Sequence, residues 1–514
     1  MVESQDLLVG IDAGTSVIKA VAFTLDGEQV ACSAIQNQYD FGRDGAVTQS
    51  LSVTWTECIK ALRALGDDVP DLDRRTAAIA VTGQGDGTWL VGRDNVPVSD
   101  AWIWLDARAA PTVNRLRAST DERGRFEKTG TGLSTCQQGA QLAHMAEHHP
   151  DMLSKAEVAL HCKDWLYLCL TGVRATDPSE ACFTFGNFRN RKYDTGVLGA
   201  LGLEDCRHLL PDIVEGTEVT HPLSEEAAQL TGLRAGTPVA LGYVDMVMTG
   251  LGAGVYTGST DSACSIIGST GVHMRPVAAE AASLNDACTG YIMTLPVPGL
   301  VTQMQSNMAA TLNVDWLLGL AAELMCDGGA QVGTSDLLDR IDGWLHNSSR
   351  SRLIYHPYIS EAGERGPFID ANARASFIGL NTNHGFADLL RAVVDGLGMA
   401  TRDCYGAIGN MPKEIRLSGG AARSSAIQSV IASSVGAGVR VSDRKEAGAA
   451  GAAMMAAVAV GVYADMEACI KEWVSPLLGD IRQPNAEDTQ PYAQLYDVYR
   501  ESREALAPLW SKLP

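Results

Sequence analysis

The chain has 514 residues, 46% of them hydrophobic and 20% charged. Single cores stop growing at about 250–300 residues, so two large domains are expected, and no long stretch is polar enough for a disordered chain. Forty basic against 61 acidic residues leave a formal charge of −21. Such a surface repels nucleic-acid phosphates and anionic membranes and excludes both as expected partners.

Residues 1–6 are acidic and lack a basic leader region, so no signal peptide is expected. The twelve cysteines contain no CxxC pair and no His/Cys cluster at zinc spacing, and they read as free thiols of a reducing cytoplasm. Residues 7–11 predict a buried strand, Asp12-Ala-Gly-Thr-Ser16 a turn, and residues 17–23 the returning strand of a hairpin. Residues 77–82 predict a third strand that ends in Gly83-Gln-Gly-Asp-Gly87, and helical patterns follow at 107–117 and 138–147. Residues 239–243 predict another strand, with Asp245 where the next helix begins.

The second half repeats the theme. Residues 263–267 predict a strand, Gly268-Ser-Thr-Gly271 a turn, and Val272 opens the returning strand. Residues 414–417 run into Ser418-Gly-Gly-Ala421 and then a helix over 425–434. The uncharged run 447–464 is mostly Ala and Gly, too weakly apolar for a membrane span, and reads as a buried, closely packed helix. Each half thus opens with a hairpin whose tip combines glycine with Ser or Thr. This duplication sets a boundary among the glycines of 252–258 and divides the chain into 1–253 and 254–514, both α/β.

The chain has no Walker-type P-loop, GxGxxG, HExxH or GxSxG motif. The tip formed by Gly14, Thr15 and Ser16 can cradle phosphate oxygens on backbone N–H groups and hydroxyls, with Asp12 holding Mg²⁺ through water; taken alone, an ordinary hairpin closure is the favoured reading. Paired with Gly268, Ser269 and Thr270 across a cleft, the two tips form a more specific signal, a grip on β- and γ-phosphates. Asp245 suits an N-cap and a general base about equally. Asp86, Trp102, Trp104, Asp106 and Arg108 suit a small polyhydroxylated ligand, or else core indoles beside a surface ion pair. Ser418–Ser424 can lay bare backbone against an adenosine. The stretch 447–451 would face it, although tight helix packing is the favoured reading there. His144, His148 and His149 read as solvated and receive no role.

The ordered set Gly10-Ile-Asp-Ala-Gly-Thr-Ser16, Thr82-Gly-Gln-Gly-Asp-Gly87, Trp104-Leu-Asp-Ala-Arg108, Asp164-Trp-Leu-Tyr-Leu-Cys-Leu-Thr-Gly172, Thr176-Asp-Pro-Ser-Glu-Ala181, Gly242-Tyr-Val-Asp245, Gly268-Ser-Thr-Gly271, Gly363-Glu-Arg-Gly-Pro367 and Ser418-Gly-Gly-Ala421 resembles the FGGY family of carbohydrate kinases, from residue 7 to residue 461. The resemblance implies two actin-like, ribonuclease H-type ATPase domains separated by a catalytic cleft, with ATP on the C-terminal domain and a polyol mainly on the N-terminal one. It implies Asp245 as catalytic base and metal neighbour, Asp12, Gly14 and Thr15 as the first phosphate and Mg²⁺ loop, and Gly268, Ser269 and Thr270 as the second. Gly419, Gly420 and Ala421, with Ser424, fall in the adenosine segment.

Asp86 stands where glycerol kinases carry a glutamate and xylulose kinases a histidine. Met246 departs from the Gln or Asn that commonly follows the base. Asp86 and the bare Gly85 leave room for an acceptor longer than glycerol; Gln84, Gln137 and Gln138 suit further contacts and Trp104 a far wall, and each of these four suits a framework role equally. The expected acceptor is therefore a linear four-carbon polyol, erythritol, ahead of glycerol, xylulose or ribulose. The competing class is a nucleotide-dependent binding module. A homo-oligomer stays open.

Overall fold

The computed structural model describes residues 6–348 and 353–513, so residues 1–5, on which the leader expectation mostly rests, lie outside it. Leu7–Ala13 (β1) is apolar on both faces: Leu7, Val9, Ile11 and Ala13 point to one side, and Leu8 and Gly10 to the other. It pairs antiparallel with Val17–Thr24 (β2), which pairs antiparallel with Gln29–Gln36 (β3). On its other edge β1 takes Thr76–Gly83 (β4) in parallel. Thr220–Pro222 (β5) forms the far edge, outside Pro238–Leu241 (β6), giving the order β5-β6-β4-β1-β2-β3.

The second sheet contains Ser262–Ile267 (β7), Gly271–Ala278 (β8), Tyr291–Thr294 (β9), Leu300–Asn307 (β10), Glu414–Ser418 (β11) and Gly438–Val441 (β12), in the order β9-β10-β8-β7-β11-β12. Strands β10, β8, β7, β11 and β12 repeat β3, β2, β1, β4 and β6, antiparallel for the first three and parallel thereafter. The duplication read in the hairpin tips is therefore one of whole sheets. The sixth strands, β5 and β9, are added at opposite edges.

One face of the first sheet packs on Leu51–Asp68 (α1) and Cys162–Thr171 (α2). Pro178–Phe185 (α3) and Asp245–Ala253 (α4) lie towards the second domain, where Phe183 meets Tyr291 of β9. Thr311–Asp327 (α5), Phe386–Ala407 (α6) and Ser425–Val435 (α7) build the core of the second domain. Ala447–Ala459 (α8) belongs to the second half by sequence but lies on the open face of the first sheet, against β1, β4 and α4. Its residues 448–457 are all buried, in a core that joins Leu8, Val21, Phe23, Ala78 and Ala80 to Cys264, Met274 and Met304 of the second sheet.

That fit rests on missing side chains. A Cβ on Gly10 would stand 2.2 Å from the Ala449 carbonyl oxygen, one on Gly252 2.2 Å from that of Ala447, and one on Gly451 2.3 Å from that of Met248. The uncharged run is thus a packed helix, and among the described residues no helix is long and apolar enough to cross a membrane. All twelve cysteines are free thiols.

Gly10→Ala drives a methyl into fixed backbone and should cost about 1–3 kcal/mol. Gly66→Ala, on the exposed side of α1 with nothing within 4 Å of the added carbon, should instead gain up to about 1 kcal/mol. Thermal unfolding of the two variants checks this, and equal midpoints would refute the close-packing account.

Candidate active site

The C-terminal ends of β1, β4 and β6 converge on one side of a cavity of about 260 Å³, and the tip between β7 and β8 closes on it from the other. Thr15, Gln84, Gly85, Asp86, Trp104 and Asp245 line it from the first domain, and Thr270, Tyr291, Ser306 and Arg365 from the second. The two glycine–hydroxyl tips therefore meet at one cavity. The first tip is pinned by Asn37, whose Nδ2 donates to the Gly14 carbonyl at 3.0 Å and whose N–H donates to that of Ser16 at 2.8 Å. The second is tied to the start of α5: Ala310 and Thr311 donate to the carbonyls of Ser269 and Gly268 at 2.7 and 2.9 Å. Ser16, Ser269 and Thr270 are exposed at these tips.

Asp12 sits on the first turn of α8, where a Cβ on Gly448 would come within 2.3 Å of its Oδ2. Burial lifts its carboxyl to about 6; Lys19 opposes this and Glu446 adds to it. Asp245 is the first residue of α4 and makes no cap: Val244 occupies that position. Its carboxyl is held well above the usual range by burial and then by Asp12, with Glu180 and Asp86 adding and the Met246 N–H opposing. Asp86 takes a left-handed φ of 59° and is also pushed up by burial; its Oδ2 accepts from the Cys136 thiol at 3.1 Å.

The turn before Asp245 is clamped from behind. Thr82 Oγ1 donates to the Tyr243 carbonyl at 2.6 Å, and the Val244 N–H donates to Ser179 Oγ at 3.0 Å. Ser179 in turn donates to Asp177, whose other oxygen meets the buried Lys163 ammonium at 2.5 Å; Lys163 also holds Asp164 at 2.5 Å. His161 lies between Asp164 and Glu180, at 3.1 and 3.4 Å.

Several residues expected at the acceptor serve the framework instead. Gln137 and Gln138 are buried and donate to the carbonyls of Gly132 and Leu160 at 3.0 and 2.7 Å, so neither lines the cavity. Asp106 is buried too, holding the Val47 N–H at 2.8 Å and Arg108 at 2.6 Å, while Arg108 stacks on Trp102. Trp102 is thus a core indole, but the ion pair is not a surface one, since Asp106 is buried, and Trp104 is exposed on the cavity wall. Gln84 does line the cavity, but its amide is shared between Thr15 at 3.0 Å and Gln49 at 2.6 Å. Trp104 donates from Nε1 to Thr15 at 2.8 Å, joining the acceptor wall to the phosphate tip.

In the adenosine segment, Gly419 has φ 85°, and its missing Cβ would lie 2.6 Å from the Ile267 carbonyl. Gly420 and Ala421 continue that turn, whereas Ser424 caps α7 and bonds Asp342. Cys136, Tyr291, Ser306 and Arg365 had no assigned role. Only Arg365 carried a signal, since it lies within the Gly363–Pro367 motif.

Sequence models of the FGGY family of carbohydrate kinases match residues 7–252 with the N-terminal domain and 263–460 with the C-terminal domain. The chain belongs to this family. This FGGY chain is 61% identical over 513 residues to the erythritol kinase of Brucella abortus (strain 2308), covering 100% of the chain and 99% of that protein. It is 27% identical to the xylulose kinase of Escherichia coli (strain K12), covering 99% of each. Among solved structures, gluconate kinase from Lactobacillus acidophilus superposes with a TM-score of 0.89 at 21% identity, over 99% of both chains. Plasmodium falciparum glycerol kinase with ADP gives 0.82 at 15% identity, over 97% of this chain and 98% of that one. These structures share the two-domain fold.

Glu364, in the loop that carries Arg365, accepts the N–H groups of Met308 and Arg365 at 2.8 and 2.9 Å, yet burial still raises its carboxyl to about 7. A carboxyl raised above its unfolded value favours folding fully below the unfolded pKa, and loses that contribution as pH rises through the folded one. Wild-type stability should therefore fall relative to Glu364→Gln between about pH 4.5 and about pH 7.5, by about 2–3 kcal/mol. Parallel thermal melts test this, and a gap that does not change with pH would count against it.

Proposed function

We propose that this chain transfers the γ-phosphoryl group of ATP to a hydroxyl of a linear four-carbon polyol, erythritol. The meeting of both phosphate-type tips and Asp245 on one cavity carries the kinase reading; the full-length 61% identity to the Brucella erythritol kinase supports the acceptor. Phosphoryl transfer asks mainly for positioning and charge stabilisation, which this arrangement suits.

In this reading Asp245 is the general base. A carboxyl whose pKa is pushed up by burial and neighbouring carboxylates is a stronger proton acceptor than a solvated one, and it lies at the wall where the acceptor hydroxyl sits. The tip of Gly14, Thr15 and Ser16, with the Ser16 side chain exposed, faces the transferred phosphate. Gly268, Ser269 and Thr270 face the remaining phosphates. The bare backbone of Gly419, Gly420 and Ala421 takes the adenosine, and Asp86 takes acceptor hydroxyls. The division is then residues 1–253 for acceptor and base and 254–514 for nucleotide.

Among the described residues no group of three His, Cys, Asp or Glu side chains is placed to hold a metal. Asp12 and Asp245 are hard oxygen donors, and Asp12 helps raise the pKa of Asp245; such a pair suits Mg²⁺ shared with phosphates and water. Asp12 would hold that ion, which when bound offsets phosphate charge. A cytoplasmic setting fits the twelve free thiols.

Asp245→Asn keeps the shape but cannot accept the proton. Turnover should fall by about 10²–10⁴-fold with the ATP dissociation constant little changed, and near-wild-type turnover would remove Asp245 from the role. For the acceptor, kcat/KM for erythritol should exceed that for glycerol, xylulose and ribulose by at least about tenfold. A preference for a five-carbon ketose would retire erythritol and leave the kinase standing; no turnover with any acceptor would retire both.

A further inference from the structure

The cavity is lopsided in charge. Asp86 and Asp245 line it from the first domain, and Arg365 of the second is the single Arg, Lys or His side chain on its wall. The backbone under Arg365 is firmly set. Glu364 Oε1 accepts the N–H groups of Met308, from a distant segment, and of Arg365, and Asn307 Nδ2 donates to the Gly366 carbonyl at 2.9 Å. A Cβ on Gly363, where φ is 76°, would stand 2.1 Å from the Asp370 carbonyl oxygen, so the loop closes on itself.

The guanidinium on this rigid loop has no hydrogen bond or ion pair to any described residue, and its Nε is buried without a partner. On the first domain, Asp86 is in the mirror situation. Oδ2 is satisfied by the Cys136 thiol, whereas Oδ1 is buried and unpartnered. The two charges feel each other, since Arg365 lowers the Asp86 pKa, but they do not form a pair within 4.0 Å. An unsatisfied buried donor or acceptor costs about 1–3 kcal/mol. The two side chains that carry them, of opposite hydrogen-bonding sense, line one cavity. Their missing partner must donate to a carboxylate and accept from a guanidinium. A hydroxyl group does both, and a run of hydroxyls can do both at once. A phosphate or carboxylate would satisfy Arg365 and be repelled by Asp86.

We propose that Arg365 and Asp86 together bind the hydroxyls of the acceptor at the end away from the reacting oxygen, so that the acceptor itself bridges the two domains. The inference rests on the polyol kinase reading. It gives Arg365 the task of reading chain length: a three-carbon polyol with one end at Asp245 leaves the guanidinium unsatisfied, and a four-carbon polyol reaches it. Gly85 makes no room on the acceptor side: its missing Cβ would stand 2.4 Å from Val244 Cγ2 and 3.0 Å from Glu180 Oε1, so close packing of the framework accounts for the glycine.

The test compares erythritol with butane-1,2,3-triol, which lacks the fourth-carbon hydroxyl, on the wild-type enzyme and on Arg365→Gln. Wild type should prefer erythritol by about 10–100-fold in kcat/KM, and Arg365→Gln should treat the two within about threefold, with the KM for ATP changed by no more than about threefold. Arg365→Lys, which keeps the charge but not the planar fork, should retain an intermediate preference and serves as the comparison if the glutamine variant does not fold. Undiminished discrimination in the variants, or an equal rise in the KM for ATP, would overturn the proposal. Wild type that phosphorylates erythritol alongside such variants would confine the failure to Arg365; wild type inactive on both polyols would instead bring down the reading on which it rests.

Discussion

The geometry of the cleft depends on one contact, the backbone-to-backbone seating of α8 against β1 and α4. Gly10 admits the Ala449 carbonyl, Gly252 that of Ala447, and Gly451 that of Met248. β1 carries Asp12, α4 begins with Asp245, and the first turn of α8 brings Gly448 against the Asp12 carboxylate. The spacing of the two carboxylates is therefore set by helix and strand backbones rather than by flexible side chains. Lys19 and Glu446, 2.7 Å apart, fasten the same corner from the solvent side. Dispersion and apolar burial along α8 supply the driving force, and the glycines determine how close the approach is.

That closeness has an electrostatic consequence. Asp12, Asp86, Glu180 and Asp245 are near enough for Asp12, Glu180 and Asp86 each to raise the pKa of Asp245. The cleft is thus a locally costly arrangement held in place by its surroundings, as functional sites commonly are. The buried Lys163, paired with Asp164 and Asp177, is part of that support. It fixes Ser179, and through it the peptide at Val244, without placing a cation in the cavity. The left-handed backbone of Asp86 is a second local cost, tolerable because an aspartate adopts that region more readily than most residues.

The sequence made the scaffold legible wherever pattern and local chemistry coincide. Strands β1 and β7 are short apolar runs ending in glycine and a hydroxyl, so the hairpins, their tips and their duplication could be read directly. Asp245 could be placed at a strand end, but only the structure separates it from an N-cap, by putting Val244 there. The acceptor wall was less legible because its parts come from distant segments: Cys136 lies 50 residues from the Asp86 it contacts, and Arg365 lies in the other domain. Gln137, Gln138 and Asp106 illustrate the opposite difficulty. Polar side chains beside a glycine-rich segment look available to a ligand, yet they are consumed by backbone groups whose positions exist only in the folded chain.

The placement of α8 also bears on how the chain is made. The parallel core of the first sheet is complete once β6, ending at Leu241, has left the ribosome, but the helix that covers its second face begins about 200 residues later, at Ala447. At about 5–20 residues per second, translation takes roughly 10–40 s to deliver it. Throughout that interval Leu8, Val21, Phe23, Ala78 and Ala80 lack the helix that completes their cover. The first half therefore completes this part of its packing only after the second emerges. Its final consolidation waits for a segment encoded near the far end of the message, and the nascent chain must be kept from premature association until that segment arrives.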